Sequence, residues 1–307
     1  MNTTIRIGTR DSALALWQAN EVKRLLAEKG FEAELVLIKS EGDINLVTPL
    51  YEMGVQGVFT RTLDIAMLNG QIDVAVHSMK DVPTQLPTGI VQAAVLPRAS
   101  HKDLFVPRNG LSYLESSESV ATIATSSIRR KAQWMHRFPN HTIESIRGNV
   151  NTRLRKVEES NWQGAIFAAA GLERIDLRPG NAVELDWMLP APAQGAIMVV
   201  CREDAQHAFE ACSSLNDAAT ANCVKVERDF LRGLMGGCSM PISALAEVHG
   251  DTMHFEGNVL DPQGTVKLEI KKQIAIAAAD TIGILAAQEL LTKGAGEILS
   301  KIKSNGK

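Results

Sequence analysis

The alternation of short apolar strands with amphipathic helices near the N-terminus limits the fold more than any other feature. The predicted strands are Ile5–Ile7, Glu34–Ile38 and Ile72–Val76. Asp11 or Ser12 can cap the first intervening helix, and Gly30 ends it. A second helix is predicted from about residue 59 to residue 68. This rhythm predicts a mostly parallel sheet covered by helices, and therefore an α/β fold.

The same pattern starts again after residue 97 and gives way to a different one near the C-terminus. The second segment contains predicted strands Ser119–Ala124 and Gly164–Ala168 and predicted helices Ser127–Arg137 and Val150–Ser160. Strand Ala196–Val200 is predicted to return to the first sheet, and a small α+β domain with a strand meander follows. The expected domains are residues 1–97 with 196–215, residues 98–195, and residues 216–307.

Composition excludes several classes of protein. Of the 307 residues, 45% are hydrophobic and 22% are charged, as in ordinary globular proteins. No apolar run is long enough to span a bilayer, and the first residues lack a signal-peptide core, so we expect a cytoplasmic protein without membrane contact. The four cysteines show no CxxC spacing, which argues against a metal site and a disulfide framework.

Charge is distributed unevenly along the chain. The net charge is −3, but residues 129–156 contain eight basic residues and one acidic residue, a local balance of +7 (8 − 1). Such a segment attracts anions. Nucleic acid is not the expected partner, because the whole chain is acidic and Trp134, which lies within this segment, fits core packing better than a stacking platform.

Polar residues follow the third predicted strand, in the segment His77–Pro83. Ligands bind at the carboxyl ends of strands in open α/β sheets. Asp81 is a candidate acid or charge stabiliser there, and Lys80 is a candidate clamp for a carboxylate. A plain turn at Asp81 with Lys80 in solvent explains the pattern equally well.

Three turns combine a preceding strand, a helix start and basic residues. Helix N-termini bind anions, and basic side chains there oppose the helix dipole, so an anion explains them better than local stability does. Ordinary caps beside solvated arginines are the alternative. The ligand expected from these turns is a small polycarboxylate or polyphosphate. The candidate residues are Arg10 and Ser12, then Ser127, Arg129 and Arg130, then Arg147 and Arg153, with Arg174 as a weaker candidate.

Cys238 lies on a glycine loop after a predicted helix over residues 224–235. Gly236 and Gly237 end that helix and leave little bulk around the thiol, which suits a sulfur that carries a group. The alternative is a helix C-cap followed by a small buried hydrophobic residue.

Five segments together resemble the porphobilinogen deaminase family, in its order and approximate spacing over nearly the whole chain. They are Arg10–Gln18, His77–Pro83, Thr125–Arg130, Arg147–Arg153 and Gly236–Pro241. The resemblance implies two α/β lobes similar to periplasmic binding proteins, followed by a small α+β domain. It also implies an enzyme that joins four porphobilinogen molecules, releases ammonia at each step and frees a linear tetrapyrrole by hydrolysis.

Roles for individual residues follow from this resemblance alone. Cys238 is similar to the family's cysteine, which holds a dipyrromethane cofactor through a thioether, and Asp81 is similar to its catalytic aspartate. The family is expected to be monomeric. The residues similar to carboxylate-binding positions are Arg10, Arg129, Arg130, Arg147, Arg153 and Arg174, and those similar to lesser contacts are Lys80, Ser12, Ser127 and Gln194.

Two positions depart from the family pattern. Gln56 replaces a lysine in the loop before the helix near residue 60, and Ala193 replaces a glycine, which is expected to stiffen the link between the lobes. A binding module without chemistry is the main rival to an enzyme, but it does not explain Asp81 beside Lys80 or the loop thiol.

Overall fold

The computed structural model of the chain describes residues 4–39, 60–116, 118–235 and 240–305. These residues divide into two compact units, which are described separately below. Unit 1 contains the described residues before residue 100 together with residues 195–222. Unit 2 contains residues 100–194 and the described residues from 223 onwards.

Strands and helices are numbered here in chain order. The strands are β1 (Ile5–Thr9), β2 (Ala33–Leu37), β3 (Val74–Ser78), β4 (Ile90–Val95), β5 (Asp103–Pro107), β6 (Thr122–Ala124), β7 (Thr142–Glu144), β8 (Gly164–Ala168), β9 (Val183–Glu184), β10 (Ile197–Arg202), β11 (Ile242–His249), β12 (Thr252–Leu260) and β13 (Lys267–Ala275). The helices are α1 (Ala13–Glu28), α2 (Arg61–Leu68), α3 (Ile128–Arg137), α4 (Val150–Glu159), α5 (Ala169–Glu173), α6 (Gln206–Ser213), α7 (Ala218–Gly233), α8 (Ile282–Leu290) and α9 (Gly296–Asn305).

Unit 1 is built on a five-stranded sheet with the order β2-β1-β3-β10-β4. Strands β1, β2 and β3 are parallel, whereas β10 runs antiparallel to both β3 and β4. Among the described strands of this sheet, β1, β2, β3 and β4 run in one direction and β10 alone opposes them, so the prediction of a mostly parallel sheet is confirmed. The predicted return of the strand near residue 200 to this sheet is confirmed.

The first helix shows how local sequence produces this unit. The Ser12 side chain accepts a hydrogen bond from the N–H of Ala15 and so caps α1. Gly30 follows the helix with a φ of 83°, a conformation that favours glycine. Val22 and Leu26 of α1 are fully buried against the sheet, so the apolar stripe of the helix becomes part of the core.

Unit 2 contains two sheets. The first has the order β7-β6-β8-β5-β9, with β6, β7 and β8 parallel and β5 antiparallel to β8 and β9. Trp134 of α3 and Phe105 of β5 are fully buried beside this sheet, with ring centroids 5.2 Å apart. The second is the antiparallel meander β11-β12-β13, packed against α7 and α8. The predicted turn at Asp261–Gly264 joins β12 to β13 and is confirmed.

The α/β fold class with a small C-terminal α+β portion is thus confirmed. Sequence analysis missed the strands β4, β5, β7 and β9, of which β7 and β9 are short and β5 begins with an aspartate. Across the described residues, no helix combines the length and apolarity needed to cross a membrane.

Candidate functional site

The strand ends of unit 1 bring several predicted site residues to one edge of the sheet. Strands β1 and β3 are parallel neighbours, with Gly8 opposite Ala75, so their carboxyl ends lie at the same edge. Residues that follow β1 therefore lie beside residues that end or follow β3. We call this set the unit 1 edge; it comprises Arg10, Ser12, His77, Lys80 and Asp81.

Backbone hydrogen bonds fix the turn that carries Asp81, while the Asp81 side chain is exposed. Residues Met79–Asp81 form a single 3₁₀ turn directly after β3. The N–H of buried Met79 donates to the Ala196 carbonyl at 3.0 Å, and the N–H of Val82 donates to the Met79 carbonyl at 3.1 Å. The Asp81 side chain is exposed, and that of Lys80 is half-buried. The turn thus presents a carboxylate to solvent from a rigid base.

His77 precedes this turn, and sequence analysis did not select it. Its side chain is buried, 7% exposed, and burial followed by the nearby charge of Arg10 lowers its pKa to about 4. The imidazole is therefore neutral at physiological pH. Its presence among polar residues at a strand end was the signal available in the sequence.

The strand ends of unit 2 gather the remaining predicted residues. Strands β6, β7 and β8 are parallel, so the turns that follow them share one edge of the sheet. Ser127 caps α3 by accepting from the N–H of Arg130, and Asn149 caps α4 by accepting from the N–H of Thr152. Arg174 lies at the end of α5. We call this set the unit 2 edge; it comprises Ser127, Arg129, Arg130, Arg147, Arg153 and Arg174.

Arg129 and Arg130 share a buried carboxylate, Asp103, at the start of β5. Nη2 of Arg129 lies 2.8 Å from Oδ2 of Asp103, and Nη2 of Arg130 lies 2.7 Å from Oδ1. All three side chains are at most 8% exposed. Burial disfavours the charge on Asp103, but Arg129 and Arg130 outweigh it and hold its pKa well below the ordinary range.

Local structure therefore explains part of this basic turn. Sequence analysis expected an anion to explain the arginines at the start of α3 better than local stability does, and Asp103 supplies part of that explanation within the protein. The compensation is incomplete, since two guanidinium groups face one carboxylate and a charge of +1 remains. Asp103 escaped sequence analysis because a single acid before an apolar strand gives no sign of its partners, which lie 26 and 27 residues further along the chain (129 − 103 and 130 − 103).

Gln194 joins the same network. Its Nε2 donates to Oδ1 of Asp103 at 2.9 Å and to the His101 carbonyl at 2.8 Å, and the side chain is 1% exposed. The preceding Ala193 has a φ of 62°, which is rare for a residue with a Cβ. Its N–H donates to the buried Glu227 carboxylate at 2.6 Å. Hydrogen bonds thus fix this segment at both Ala193 and Gln194.

Burial disfavours the charge of two other arginines of the unit 2 edge, Arg147 and Arg174, whereas Arg153 faces an aromatic ring. Burial lowers the pKa of Arg174 to about 10, although Glu173 opposes the shift, and burial also lowers the pKa of Arg147. The Arg153 guanidinium lies 5.6 Å from the centroid of the Phe167 ring. When desolvation of a buried cation costs more than the neighbouring acidic groups return, a bound anion stabilises the charged form.

Two features selected from the sequence, Cys238 with its glycine loop and Gln56, lie outside the described residues. The helix before the loop is α7, which begins at Ala218, six residues earlier than predicted, and ends at Gly233. Among the described residues, no group of three or more His, Cys, Asp or Glu side chains is arranged to hold a metal ion.

These observations define a class before they define a family: an α/β protein with cation-rich strand ends for small anions and an exposed carboxylate on a rigid turn. Family comparison then makes the assignment. Residues 5–210 match the dipyromethane cofactor binding domain of porphobilinogen deaminase, and residues 221–292 match the C-terminal domain of that enzyme. The chain belongs to the porphobilinogen deaminase family.

A curated relative agrees with this assignment. A porphobilinogen deaminase from Syntrophotalea carbinolica is 41% identical over 305 residues, which cover 98% of this chain and 96% of the relative. Among solved structures, the methionine-binding protein MetQ covers 69% of this chain and 89% of its own at 12% identity and a TM-score of 0.44. A periplasmic substrate-binding protein of a Coxiella burnetii ABC transporter covers 71% of this chain and 94% of its own, at 13% identity and a TM-score of 0.41.

The residues of the unit 2 edge fit the cofactor that the family carries. A dipyrromethane has two pyrrole rings that bear carboxylates, and it therefore needs cationic donors. The Asp103 cluster, which we define as Asp103, Arg129, Arg130 and Gln194, retains one uncompensated positive charge, and burial lowers the pKa of Arg129, Arg147 and Arg174. This donor set is what a polycarboxylate requires.

Proposed function

We propose that the protein acts as a hydroxymethylbilane synthase through the residues of the two edges. The observation that carries the proposal is family membership over nearly the whole chain. The reaction joins four porphobilinogen molecules head to tail. At each step the aminomethyl C–N bond breaks and ammonia leaves, while the methylene carbon bonds to a ring carbon of the growing chain, which gives up its proton. Hydrolysis then releases the linear tetrapyrrole.

Asp81 is the proposed catalytic residue. Its carboxylate hydrogen-bonds the pyrrole N–H of porphobilinogen and stabilises the positive charge that develops as ammonia departs. The rigid turn at Met79–Asp81 supports this role, because a fixed carboxylate needs little reorganisation during the reaction. Its exposure supports the role as well, since the group is accessible to a ligand.

The arginines of the two edges are proposed to bind the acetate and propionate groups. Arg10, Arg147, Arg153 and Arg174 contact substrate, whereas Arg129 and Arg130 contact the cofactor. Each charge-assisted contact is worth about 1.5–3 kcal/mol. Lys80, Ser12 and Ser127 add contacts to the cofactor. Gln194 is proposed to contact substrate as well, although its Nε2 already donates to Asp103 in this structure.

Cys238 is the proposed attachment point of the dipyrromethane cofactor through a thioether. When bound, the cofactor supplies the free pyrrole carbon to which the first substrate unit is joined. This chain's own contribution is to fix the carboxylates of that group and to keep the Asp81 carboxylate available.

Intact mass and product formation together test the proposal. We would compare the purified protein with a Cys238→Ala variant, and then measure ammonia release after porphobilinogen is added. The expected result is a mass excess of two linked pyrrole units in the wild type only, with ammonia released only by the wild type. An unmodified wild type that gains no mass with porphobilinogen and releases no ammonia would refute the function and favour an anion-binding module.

We further propose that the protein is a cytoplasmic monomer. Support for the compartment comes from Cys201 and Cys212, both fully buried as thiols, with pKa values raised by burial to about 11 and about 12. Unoxidised thiols are typical of a reducing compartment. Fractionation with a cytoplasmic marker and light scattering of the purified protein check the two statements.

A further inference from the structure

His77 occupies a specific place at the unit 1 edge. It is the second-to-last residue of β3, it pairs with Met198 of β10, and Asp81 follows four residues later. Gly8 of β1 lies opposite Ala75 of β3, and continuing this parallel register brings Arg10 level with His77. His77 therefore lies level with Arg10 on the neighbouring strand, close to the turn that carries Asp81, and its imidazole is near enough to Arg10 to feel that charge.

The hydrogen bonding of His77 is incomplete. The side chain is only 7% exposed, and its buried Nε2 has no hydrogen-bond partner among the described residues. The buried His141 in unit 2 shows the usual arrangement: its Nδ1 accepts from Nε1 of Trp134 at 3.1 Å, and its Nε2 lies 2.9 Å from Oγ of Ser119. Buried polar atoms are nearly always paired, so the exception at His77 requires an explanation.

The surroundings of His77 indicate what kind of partner is missing. Burial and the charge of Arg10 keep the imidazole neutral, so it can offer an N–H without adding a second cation. A group with an acceptor oxygen satisfies that N–H, and the positive field of Arg10 favours an anionic one. A carboxylate meets both conditions, because one oxygen can pair with a guanidinium while the other accepts from an imidazole.

We propose that His77 is a further substrate-binding residue, whose Nε2–H donates to the carboxylate of porphobilinogen that also pairs with Arg10. The inference rests on the proposed function, which supplies the substrate. It adds a neutral imidazole donor to a set made otherwise of cations, hydroxyl groups and the Gln194 amide. This donor also favours the substrate over small inorganic anions, because a directional hydrogen bond selects a carboxylate that is held in one orientation.

Three variants of the full-length holoenzyme test the inference by their KM for porphobilinogen. His77→Phe removes both nitrogens and keeps a planar ring, whereas His77→Gln retains an amide N–H near the position of Nε2. The matched control is His141→Phe, which removes a buried histidine whose nitrogens have partners within the protein. We expect KM to rise about 10- to 100-fold in His77→Phe and only a few-fold in His77→Gln, while His141→Phe lowers thermal stability but leaves KM unchanged.

A spectroscopic readout follows the substrate response in the wild type and needs a variant only to assign the resonances. In protein labelled with ¹⁵N-histidine, the His77 resonances are those missing from the spectrum of His77→Gln. We expect the Nε2 resonance in the range of a protonated nitrogen, and it should shift when porphobilinogen is added to the wild type. A purely structural histidine would not respond to the substrate.

Two results would overturn the inference: an unchanged KM in a folded His77→Phe variant, or a His77 resonance that does not respond to bound porphobilinogen. A deprotonated Nε2 in the complex would also overturn it, because the nitrogen would then be accepting a hydrogen bond from a pyrrole N–H. A wild type that binds porphobilinogen without releasing ammonia refutes the proposed function, and the resonance still decides the role of His77.

Discussion

The two sheet edges use the same architecture for different purposes. At the unit 1 edge, parallel strands end in an exposed carboxylate on a rigid turn, beside a neutral buried imidazole. At the unit 2 edge, parallel strands end near several guanidinium groups, two of which form ion pairs with Asp103. Under the proposed function, this difference assigns the reacting group to unit 1 and most of the carboxylate-binding charge to unit 2.

The largest effect is expected from Asp81→Asn. The side chain is exposed and the turn is held by backbone hydrogen bonds, so the variant should fold normally. Loss of the negative charge should lower kcat by about 10²–10⁴-fold, the range for a positioned acid–base group. Ammonia release under saturating porphobilinogen measures the effect.

The matched control for that variant is Asp204→Asn, which alters another exposed carboxylate of unit 1. It should leave kcat unchanged. Turnover by Asp81→Asn within a few-fold of the control would remove Asp81 from the chemistry and break the contrast between the two edges.

The next largest effect concerns stability in unit 2. Asp103→Asn leaves two buried guanidinium groups without their carboxylate, so we expect the free energy of unfolding to fall by about 3–5 kcal/mol. Asp186→Asn removes a carboxylate that pairs with Lys102 but is 76% exposed, and it should cost at most about 1 kcal/mol. Urea denaturation of the two variants gives the comparison.

The stabilisation by Asp103 should also depend on pH in a defined direction. The folded-state pKa of Asp103 lies below the unfolded value of about 3.8, so the folded state favours the ionised form. Its contribution is therefore complete at pH values above the unfolded pKa and is lost as the pH falls further. The difference between wild type and Asp103→Asn should shrink below about pH 4. A difference that stays constant there would mean that the charge is not what stabilises the cluster.

A smaller effect, confined to binding, is expected from Arg147→Leu. If the unit 2 edge holds carboxylates and takes no part in the chemistry, KM should rise about 10- to 100-fold with little change in kcat for the first addition. Rapid-quench measurements of successive additions separate binding from chemistry. A fall in kcat with KM unchanged would assign Arg147 to the reacting centre and blur the distinction between the edges.

The smallest effect is expected at Ala193, which has a positive φ. Ala193→Gly relieves about 1 kcal/mol of strain, but the added freedom of the unfolded chain offsets about 0.4–1 kcal/mol of this gain. The variant should therefore be about as stable as the wild type. Ala205→Gly, at a φ of −89°, has no strain to relieve and should lose roughly 0.4–1 kcal/mol. Equal losses in the two variants would show that Ala193 carries no strain.

Features encoded by neighbouring residues were predictable from the sequence. Ser127 caps α3 and the glycine at position 30 follows α1, because capping and left-handed turns depend on a few adjacent residues. The gathering of the basic turns at one edge was predictable too, since parallel strands end on the same side.

Features that depend on distant partners were not predictable. The burial of Arg129 and Arg130 follows from Asp103 on another strand, and nothing near Asp103 in the sequence marks it as their partner. The role of Glu227 is similar, because its carboxylate accepts the N–H groups of Ala193 and Ala246, one on each side of it in the sequence. The antiparallel strands β4 and β5 were missed because pairing with remote strands decides their conformation.

The position of β10 in the unit 1 sheet has a consequence for synthesis of the chain. Within the described part of the chain, strand β4 is an edge strand whose only neighbour in the sheet is β10, which begins 102 residues after β4 ends (197 − 95). On a ribosome that adds about 5–20 residues per second, β4 therefore waits roughly 5–20 s for its partner. During that interval its hydrogen-bonding groups and apolar face lack their native cover, so the nascent chain needs protection from aggregation before the first unit can close.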